Sequence, residues 1–187
     1  MAPENNDIDV PATATADAAT AATCEAATAT ADAATVAPGM PKIDDPRQWA
    51  LIAARAADER KATDIMVLQV GELIDVTEYF VIATARNTPQ VQAILENIED
   101  RLRIDAGIKP SLREETRDHS WEILDYGSIV VDVFQPEARE YYRLETLWGD
   151  APVVDLAEAG IDHPEFSERI AQLVDKCRKA EGQSAGE

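Results

Sequence analysis

The sequence predicts an α/β fold, of the layered α+β type, in which helices flank a mixed β-sheet. Segments with helical apolar spacing alternate with short apolar segments, in the order helix, strand, strand, helix, two strands, helix. Helices interleaved with short buried strands are typical of a sheet that is covered by helices. The folded part has about 110 residues, which is enough to hide roughly 60–70 % of the unfolded chain's surface in one core.

The first helix is predicted to begin at Asp45-Pro46, where Asp45 can act as N-cap and Pro46 suits the first helical position. An apolar stripe runs along it to near Asp58. The stripe consists of Trp49, Ile52, Ala53 and Ala56. Residues 64–70 (DIMVLQV) and 79–85 (YFVIATA) are short, apolar and partly β-branched, and they predict two buried strands.

The second helix is predicted to begin at Thr88-Pro89, with Thr88 as its cap, and to end at Gly107. Its apolar residues recur at helical spacing. They are Val91, Ile94, Leu95, Ile98 and Leu102. After it, residues 110–112 predict a short edge strand, and the polar residues that follow predict a loop.

Residues 121–125 and 129–134 predict two strands of a hairpin, joined across Tyr126-Gly127-Ser128. Pro136 is predicted to start the last core helix, which ends at Gly149. One side of this helix is apolar or aromatic. That side carries Tyr141, Leu144 and Trp148.

Composition divides the chain into three parts. Residues 1–45 are rich in Ala, Thr and Asp and lack large side chains, so we predict a disordered tail. Residues 46–152 are predicted to form one folded domain. Residues 153–187 form a C-terminal extension with one amphipathic helix over 164–179. The stripe of that helix favours docking on its own domain, and the alternative is a helix that binds a partner.

The chain is strongly acidic, with a formal net charge of −19. Residues 46–187 contain 28 acidic against 16 basic residues. Such a surface repels phosphates at long range, so we expect no direct nucleic-acid binding and favour a basic protein as partner. The alternative is that the acidity only keeps the protein dissolved. The sequence contains no apolar run of membrane-spanning length and no leader pattern, which predicts a cytoplasmic protein without membrane contact.

The sequence lacks the motifs that are typical of catalytic, nucleotide-binding and metal-binding sites. It contains no Gly-x-Gly loop and no Walker-type phosphate loop. The two histidines, His119 and His163, lie in polar or helix-start positions, and the two cysteines, Cys24 and Cys177, lack the close spacing of a zinc site. We therefore predict that the protein is not an enzyme and has no catalytic residues, no cofactor and no bound metal.

One catalytic alternative is a metal-dependent nucleotidyltransferase or hydrolase. That chemistry requires paired aspartates that hold magnesium ions beside a turn such as Gly127-Ser128. After this turn only Asp132 follows among hydrophobic residues, and the one Asp-x-Asp of the chain lies in the tail, at Asp7 and Asp9. The pattern therefore disfavours the catalytic alternative.

The hairpin has the composition of a recognition surface. Side chains alternate along a strand, so Trp121, Ile123 and Asp125 point to one face of the sheet. An aromatic residue beside carboxylates can anchor a basic protein, because the ring supplies buried area and the carboxylates supply orientation. The alternative, which the pattern slightly favours, is that Trp121 is an ordinary core residue.

Three segments carry a resemblance to a known family: DERKATDIMVLQV, DVTEYFVIATARNTPQVQAI and WEILDYGSIVVDVFQPEAREYYRLETLWGDAP. Over about Pro46 to Pro152 the chain resembles the bacterial ribosomal silencing factors, the Iojap family. The resemblance implies a nucleotidyltransferase-like fold without catalytic aspartates. It also implies a translation repressor that binds the large ribosomal subunit through its conserved fourteenth protein, blocks joining of the small subunit, and is a homodimer when free.

Individual residues receive expected roles from the same resemblance. Trp121, Asp125 and Tyr126 lie in the family's W-x-x-x-D-Y-G pattern. Glu114 matches a glutamate seven residues before that tryptophan, and Tyr142 lies in the family's helix pattern. The resulting residues expected to bind the ribosomal protein are Glu114, Trp121, Asp125, Tyr126, Asp132 and Tyr142.

Two positions depart from the family pattern. The family usually has histidine where this chain has Asp132, and glycine where it has Glu115. Both changes add negative charge near the expected interface, which strengthens attraction to a basic partner or alters the local contact. A third possibility for the whole chain is an acidic adaptor whose C-terminal helix makes the contact.

Overall fold

The computed structural model describes residues 43–184, with side chains described through Lys179. The predicted disordered tail therefore lies outside the described residues, apart from positions 43–45. Ile43 packs against the core, and its carbonyl oxygen accepts a hydrogen bond of 2.6 Å from Trp49 Nε1. No helix within residues 43–184 is both long enough and apolar enough to cross a membrane.

Five strands form one mixed sheet, as the sequence predicts. They are β1 (Thr63–Gln69), β2 (Tyr79–Thr84), β3 (Leu112–Glu115), β4 (Trp121–Asp125) and β5 (Ile129–Phe134). Their order across the sheet is β1-β2-β5-β4-β3. The central pair, β2 and β5, is parallel, and the other neighbours are antiparallel.

Helices cover both faces of the sheet, so the α/β layered prediction is confirmed. The helices are α1 (Pro46–Glu59), α2 (Thr88–Arg101), α3 (Pro136–Tyr142), α4 (Leu144–Leu147) and α5 (Glu168–Ser184). Helices α1 and α2 form one hydrophobic core with the first face of the sheet. Side chains from α3, α5 and the residues around α4 form a second core with the opposite face.

Strand alternation assigns each residue of β5 to one of the two cores. Val131 and Val133 are buried in the first core, under α1 and α2. Phe134 is buried in the second core, and Asp132 shares its face of the strand. Helices cover both faces of β5, which explains why the residues on both faces of this strand are largely apolar.

The N-cap of α1 agrees with the sequence prediction, and the N-cap of α2 does not. The carboxylate of Asp45 accepts a hydrogen bond from Arg47 N at 3.0 Å, as a cap of α1. The cap of α2 is Asn87, whose side chain accepts from Gln90 N at 3.0 Å, and the prediction of Thr88 is wrong by one residue. The Thr88 hydroxyl instead accepts a hydrogen bond from Gln135 Nε2 at 3.1 Å.

The edge strand lies later than predicted. β3 is formed by LREE, so part of the polar segment expected to be loop is a strand. An edge strand needs only one neighbouring strand and tolerates charged side chains. This segment forms its backbone hydrogen bonds with β4.

The last core helix is broken where one continuous helix was predicted. Arg143 has φ 46° and ψ 46°, which places it in the left-handed region and ends α3. Its N–H donates to the Arg139 carbonyl at 3.0 Å, and α4 begins at the next residue, Leu144. The break allows a residue of α4, Glu145, to reach Arg139.

The residues after Pro152 pack against the folded domain. Gln69 N donates to the Pro152 carbonyl and Val154 N donates to the Val67 carbonyl, each at 2.9 Å. The chain thus runs along the outer edge of β1. Helix α5 begins four residues later than Pro164, and its apolar stripe is buried in the second core. The structure therefore favours docking of this helix on its own domain. The buried residues of the stripe are Ile170, Val174 and Cys177.

A buried ion pair ties α3, α4 and the sheet together. Arg139 Nε lies 2.9 Å from Glu145 Oε2, and both side chains are almost fully buried. The guanidinium also donates to Thr84 Oγ1 at 3.1 Å and to the Asp64 carbonyl at 3.2 Å. Glu145 forms a second ion pair with Arg169 of α5. A buried charge is tolerated when it is paired and hydrogen-bonded in this way.

Replacing Glu145 with alanine is expected to lower the free energy of unfolding by about 3–5 kcal/mol, because Arg139 is left as a buried charge without its carboxylate. The matched control is Asp100→Ala, which removes an exposed pair with Arg103 and should cost less than about 1 kcal/mol. Urea denaturation followed by circular dichroism measures both. Equal losses in the two variants would contradict a structural role for the buried pair.

Candidate protein-recognition face

Trp121 lies at the start of β4 with its ring on the face that α3 and α5 cover. It pairs in register with Phe134 of β5, and the two rings stack with centroids 4.9 Å apart. Tyr142, at the end of α3, packs on the same indole at 4.8 Å. Trp121 remains half-buried and Tyr142 is exposed, so the aromatic group is fixed on its inner side and open on its outer side.

Asp132 lies beneath the Trp121 ring. The indole Nε1 donates to Asp132 Oδ1 at 3.0 Å, and the aspartate is only 2 % exposed. Its second oxygen, Oδ2, is buried and has no hydrogen-bond partner among the described residues. Burial raises the pKa of Asp132 to about 6, although the Trp121 hydrogen bond and the Arg139 charge pull this pKa downward.

Asp125 closes β4 on the same face as Trp121, four residues further along the strand. Its Oδ1 accepts a hydrogen bond of 2.6 Å from Gly127 N, in the turn that joins β4 to β5. Gly127 has φ +83°, a left-handed conformation that favours glycine there. The carboxylate is half-buried, which leaves part of it available to a partner.

Tyr126 lies on the other side of the sheet. Its ring packs against the first core, and its hydroxyl is buried with no hydrogen-bond partner in the described part of the chain. Burial and the nearby charge of Glu99 raise the pKa of this hydroxyl. Tyr126 therefore supports the turn from below and does not lie beside Trp121.

Glu114 is exposed on β3 and pairs in register with Ile123 of β4, which places it on the Trp121 face. The structure therefore brings together Trp121, Asp132 and Tyr142, and it places Asp125 and Glu114 further along the same surface. Apart from the contact of Tyr142 with Trp121, the helices within residues 43–184 leave this part of the sheet half-buried or exposed. We call it the open face, and it consists of Leu112, Glu114, Trp121, Ile123, Asp125 and Val130.

Leu112 and Val130 belong to the open face but are not among the predicted site residues. Leu112 is exposed at the sheet edge and Val130 is half-buried opposite Asp125. Alternation marks an apolar strand residue as buried whether or not a helix covers it. Their exposure depends on where α3, α4 and α5 lie, and the sequence pattern does not predict those positions.

A second polar cluster lies on the opposite face, between β3, β4 and α2. Glu122 is fully buried there, accepts a hydrogen bond from Gln92 Nε2 at 2.7 Å, and has an oxygen 2.6 Å from His119 Nδ1. Arg113 contacts Glu115 at 2.8 Å and Glu122 at 3.5 Å.

This second cluster offers atoms of the kind that bind metals. The ligand atoms of Glu115, His119 and Glu122 lie within 4.8 Å of one another. Arg113 already supplies a positive charge to both carboxylates, so the cluster is an ion-pair network that holds β3 and β4 against α2. Glu115 therefore lies on the α2 side of the sheet, away from Trp121.

The two aspartates nearest the Gly127-Ser128 turn each form a hydrogen bond with a different partner. The Asp125 side chain caps the turn, and Asp132 is buried against Trp121. Their register partners, Val130 and Ile123, separate them across the ladder. The arrangement places an aromatic group on one face with the half-buried carboxylate of Asp125 and the exposed carboxylate of Glu114, which suits binding of a protein surface.

The fold is an α/β domain with a five-stranded mixed sheet, and part of one face of that sheet is open. Comparison with known families identifies the family to which the chain belongs. Residues 43–183 match the family model described as "Ribosomal silencing factor during starvation". The chain belongs to this family of non-enzymatic ribosome silencing factors, which confirms the resemblance seen in its motifs. The matched region continues past Pro152 into the extension.

Two curated relatives illustrate the range of the similarity. The chain is 41 % identical over 105 residues to Ribosomal silencing factor RsfS of Bacillus subtilis, covering 56 % of this chain and 88 % of that protein. It is 33 % identical over 92 residues to a mouse protein named "Mitochondrial assembly of ribosomal large subunit protein 1". That match covers 49 % of this chain and 40 % of the mouse protein.

A solved structure supports the fold. A crystal structure of a protein from Chromobacterium violaceum superposes with a TM-score of 0.53 at 28 % sequence identity. The alignment covers 56 % of this chain and 87 % of the other. The five-stranded mixed sheet with its helices is thus an arrangement that this chain shares with an experimentally determined structure.

The raised pKa of Asp132 makes part of the stability depend on pH. This contribution is fully present below the ordinary pKa of 3.8 and is lost as pH rises through about 6. Asp132→Asn keeps an oxygen for the Trp121 hydrogen bond and removes the titration. Its free energy of unfolding should therefore rise relative to wild type by about 2 kcal/mol between pH 4.5 and pH 7.5.

Urea denaturation at the two pH values measures this difference. Asp100→Asn is the matched control, because it removes an exposed carboxylate without changing the buried one. A difference between Asp132→Asn and wild type that is the same at both pH values would contradict a raised pKa at Asp132.

Proposed function

We propose that this protein binds the large ribosomal subunit through its conserved fourteenth protein and thereby blocks joining of the small subunit. Membership of the silencing family supplies the general activity. The observation that carries the specific proposal is the open face, on which a fixed but accessible Trp121 lies with Asp125 and Glu114. A mouse relative that is named for assembly of the large subunit agrees with that choice of subunit.

The chemistry of the open face suits a basic protein surface. Trp121 is held by Phe134, Tyr142 and Asp132, so little side-chain entropy is lost when its outer edge is covered. Carboxylates at Asp125 and Glu114 attract lysine or arginine and fix the orientation of the partner. We assign direct contact to these residues and to Tyr142 at the border of the face.

Asp132 and Tyr126 are assigned indirect roles in the same proposal. Asp132 is buried and orients the Trp121 indole through its hydrogen bond. Tyr126 packs beneath the turn that carries Asp125. Both residues influence binding by placing the side chains that touch the partner.

Silencing by occlusion requires a bound protein and no reaction. We propose that the sheet is nucleotidyltransferase-like without the paired aspartates of that chemistry. The separate engagement of Asp125 with Gly127 and of Asp132 with Trp121 supports this view. Direct contact with ribosomal RNA is not part of the proposal, because the negative charge of the chain opposes it.

We also propose that the protein acts in the cytoplasm and is a homodimer when it is not bound to a ribosome. Exposed apolar side chains at the edge of the sheet and on α3 and α4 support self-association. They are Leu112, Tyr141 and Leu147. Within this proposal residues 46–152 form the silencing domain and the extension supports it along β1. Sedimentation equilibrium of the purified chain tests the dimer, and a monomer at micromolar concentration would contradict it.

Added protein is expected to prevent assembly of whole ribosomes from purified subunits. At saturating concentration the joined-ribosome peak in a sucrose gradient should fall, and the protein should sediment with the large subunit. Normal joining with the protein bound would contradict steric occlusion. Sedimentation of the protein apart from the large subunit would contradict the binding itself.

Asp125→Lys is expected to weaken binding to purified large subunits at least about tenfold, because it places a positive charge against a basic partner. Glu96→Lys is the matched control. It makes the same charge change on an exposed position of α2, over the opposite face of the sheet, and should leave binding within about twofold of wild type. Equal weakening by both variants would show that net charge, and not the open face, determines binding.

A further inference from the structure

The carboxylate of Asp132 is an unusual group to find beneath a recognition surface. It is almost fully buried, and one oxygen is held by the Trp121 indole while the other has no partner among residues 43–184. A buried carboxylate with one unmet acceptor is costly to keep ionised. Its position is therefore poorly explained by stability alone.

Among the described residues, one charged group, Arg139, acts on Asp132. From β4 the residues above it are Trp121 and its register partner Ile123, and from β2 its register partner is Ile82. From α3 the Arg139 guanidinium attracts it, which lowers its pKa.

Arg139 nevertheless forms its hydrogen bonds with other groups. Its nitrogen atoms donate to Glu145, Thr84 and the Asp64 carbonyl. Glu145 and Arg169 balance one another within the same network. The charge of Asp132 thus has no ion-pair partner within 4 Å in the described part of the chain, and its ionisation is free to respond to pH and to an incoming cation.

Ionisation of Asp132 changes the open face in two ways. A hydrogen bond from the indole to a charged carboxylate is stronger than one to a neutral carboxyl, so the ionised form holds Trp121 more firmly. A negative charge in a medium of low dielectric constant also attracts a basic partner more strongly than an exposed charge does. Both effects favour binding by the ionised form.

We propose that Asp132 is a proton-sensitive control on ribosome binding: the open face binds its basic partner when Asp132 is ionised and releases it when Asp132 is protonated. This inference rests on the proposed function and adds regulation of the same surface. The raised pKa of about 6 supports it, since the change falls between neutral and mildly acidic conditions.

The size of the effect follows from the fraction of ionised protein. With a pKa of about 6, that fraction falls about tenfold between pH 7.5 and pH 5.0. If the neutral form binds about 100-fold more weakly than the ionised form, the apparent Kd of wild type rises by nearly the same tenfold factor. Asparagine at this position mimics the neutral carboxyl, so Asp132→Asn should bind about 100-fold more weakly than wild type at pH 7.5 and should lack this pH dependence.

The experiment measures binding of fluorescently labelled protein to purified large subunits between pH 5.0 and pH 7.5. Wild type, Asp132→Asn and the control Glu96→Gln are compared, because any pH dependence of the ribosome is common to all three. The expected result is a rise in Kd of about tenfold for wild type and Glu96→Gln beyond that of Asp132→Asn. Equal pH dependence in all three overturns the inference. No binding by wild type at pH 7.5 overturns the proposed function itself.

A second measurement follows the wild-type protein without ribosomes and uses a variant only to assign one resonance. The indole N–H resonance of Trp121, assigned by its loss in Trp121→Phe, should shift with pH in wild-type protein with a midpoint near the pKa of Asp132, about 6. A resonance that stays constant from pH 5.0 to pH 7.5 overturns the inference, because the indole then does not sense protonation of Asp132.

Discussion

The parallel pairing of β2 with β5 is the contact on which the rest of the structure depends. It runs in register from Tyr79 opposite Ile129 to Thr84 opposite Phe134, and it joins two antiparallel halves that are distant in sequence. Helix α2 lies in the connection between them and covers the first core. This pairing also places α3, which follows β5, where Arg139 can donate to Thr84 of β2 and to the Asp64 carbonyl of β1.

Much of this fold could be predicted because local sequence and tertiary structure agree. The boundaries of β4 and β5 follow from alternation and from a glycine turn, and the start of α1 follows from Asp45-Pro46. The failures occur where long-range contacts override local pattern. The segment LREE becomes a strand only because β4 offers it a ladder. Arg143 interrupts a helix because the break lets Glu145 reach Arg139.

The candidate site could be predicted less completely than the fold. Trp121, Asp125 and Glu114 do share one face, as alternation along two paired strands requires. Tyr126 and Trp121 are close in sequence but lie on opposite sides of the sheet. From the sequence, Asp132 is expected to add negative charge near the interface. In the structure it is buried and its pKa is raised. Burial depends on which helices cover which strands, and single-residue patterns carry no information about that cover.

The strand-like passage of residues 152–154 beside β1 has a consequence for self-association. It hydrogen-bonds with Gln69 N and the Val67 carbonyl on the outer side of β1, whereas β3 ends the sheet on the other side. Unpaired strand edges are templates for polymerisation when both sides of a sheet are free. A sheet that is sealed on one side can join only one neighbour in this way, and a two-fold pairing through β3 uses up that single edge. Where the contact along β1 blocks a second copy, edge-to-edge growth through β3 alone stops at two copies.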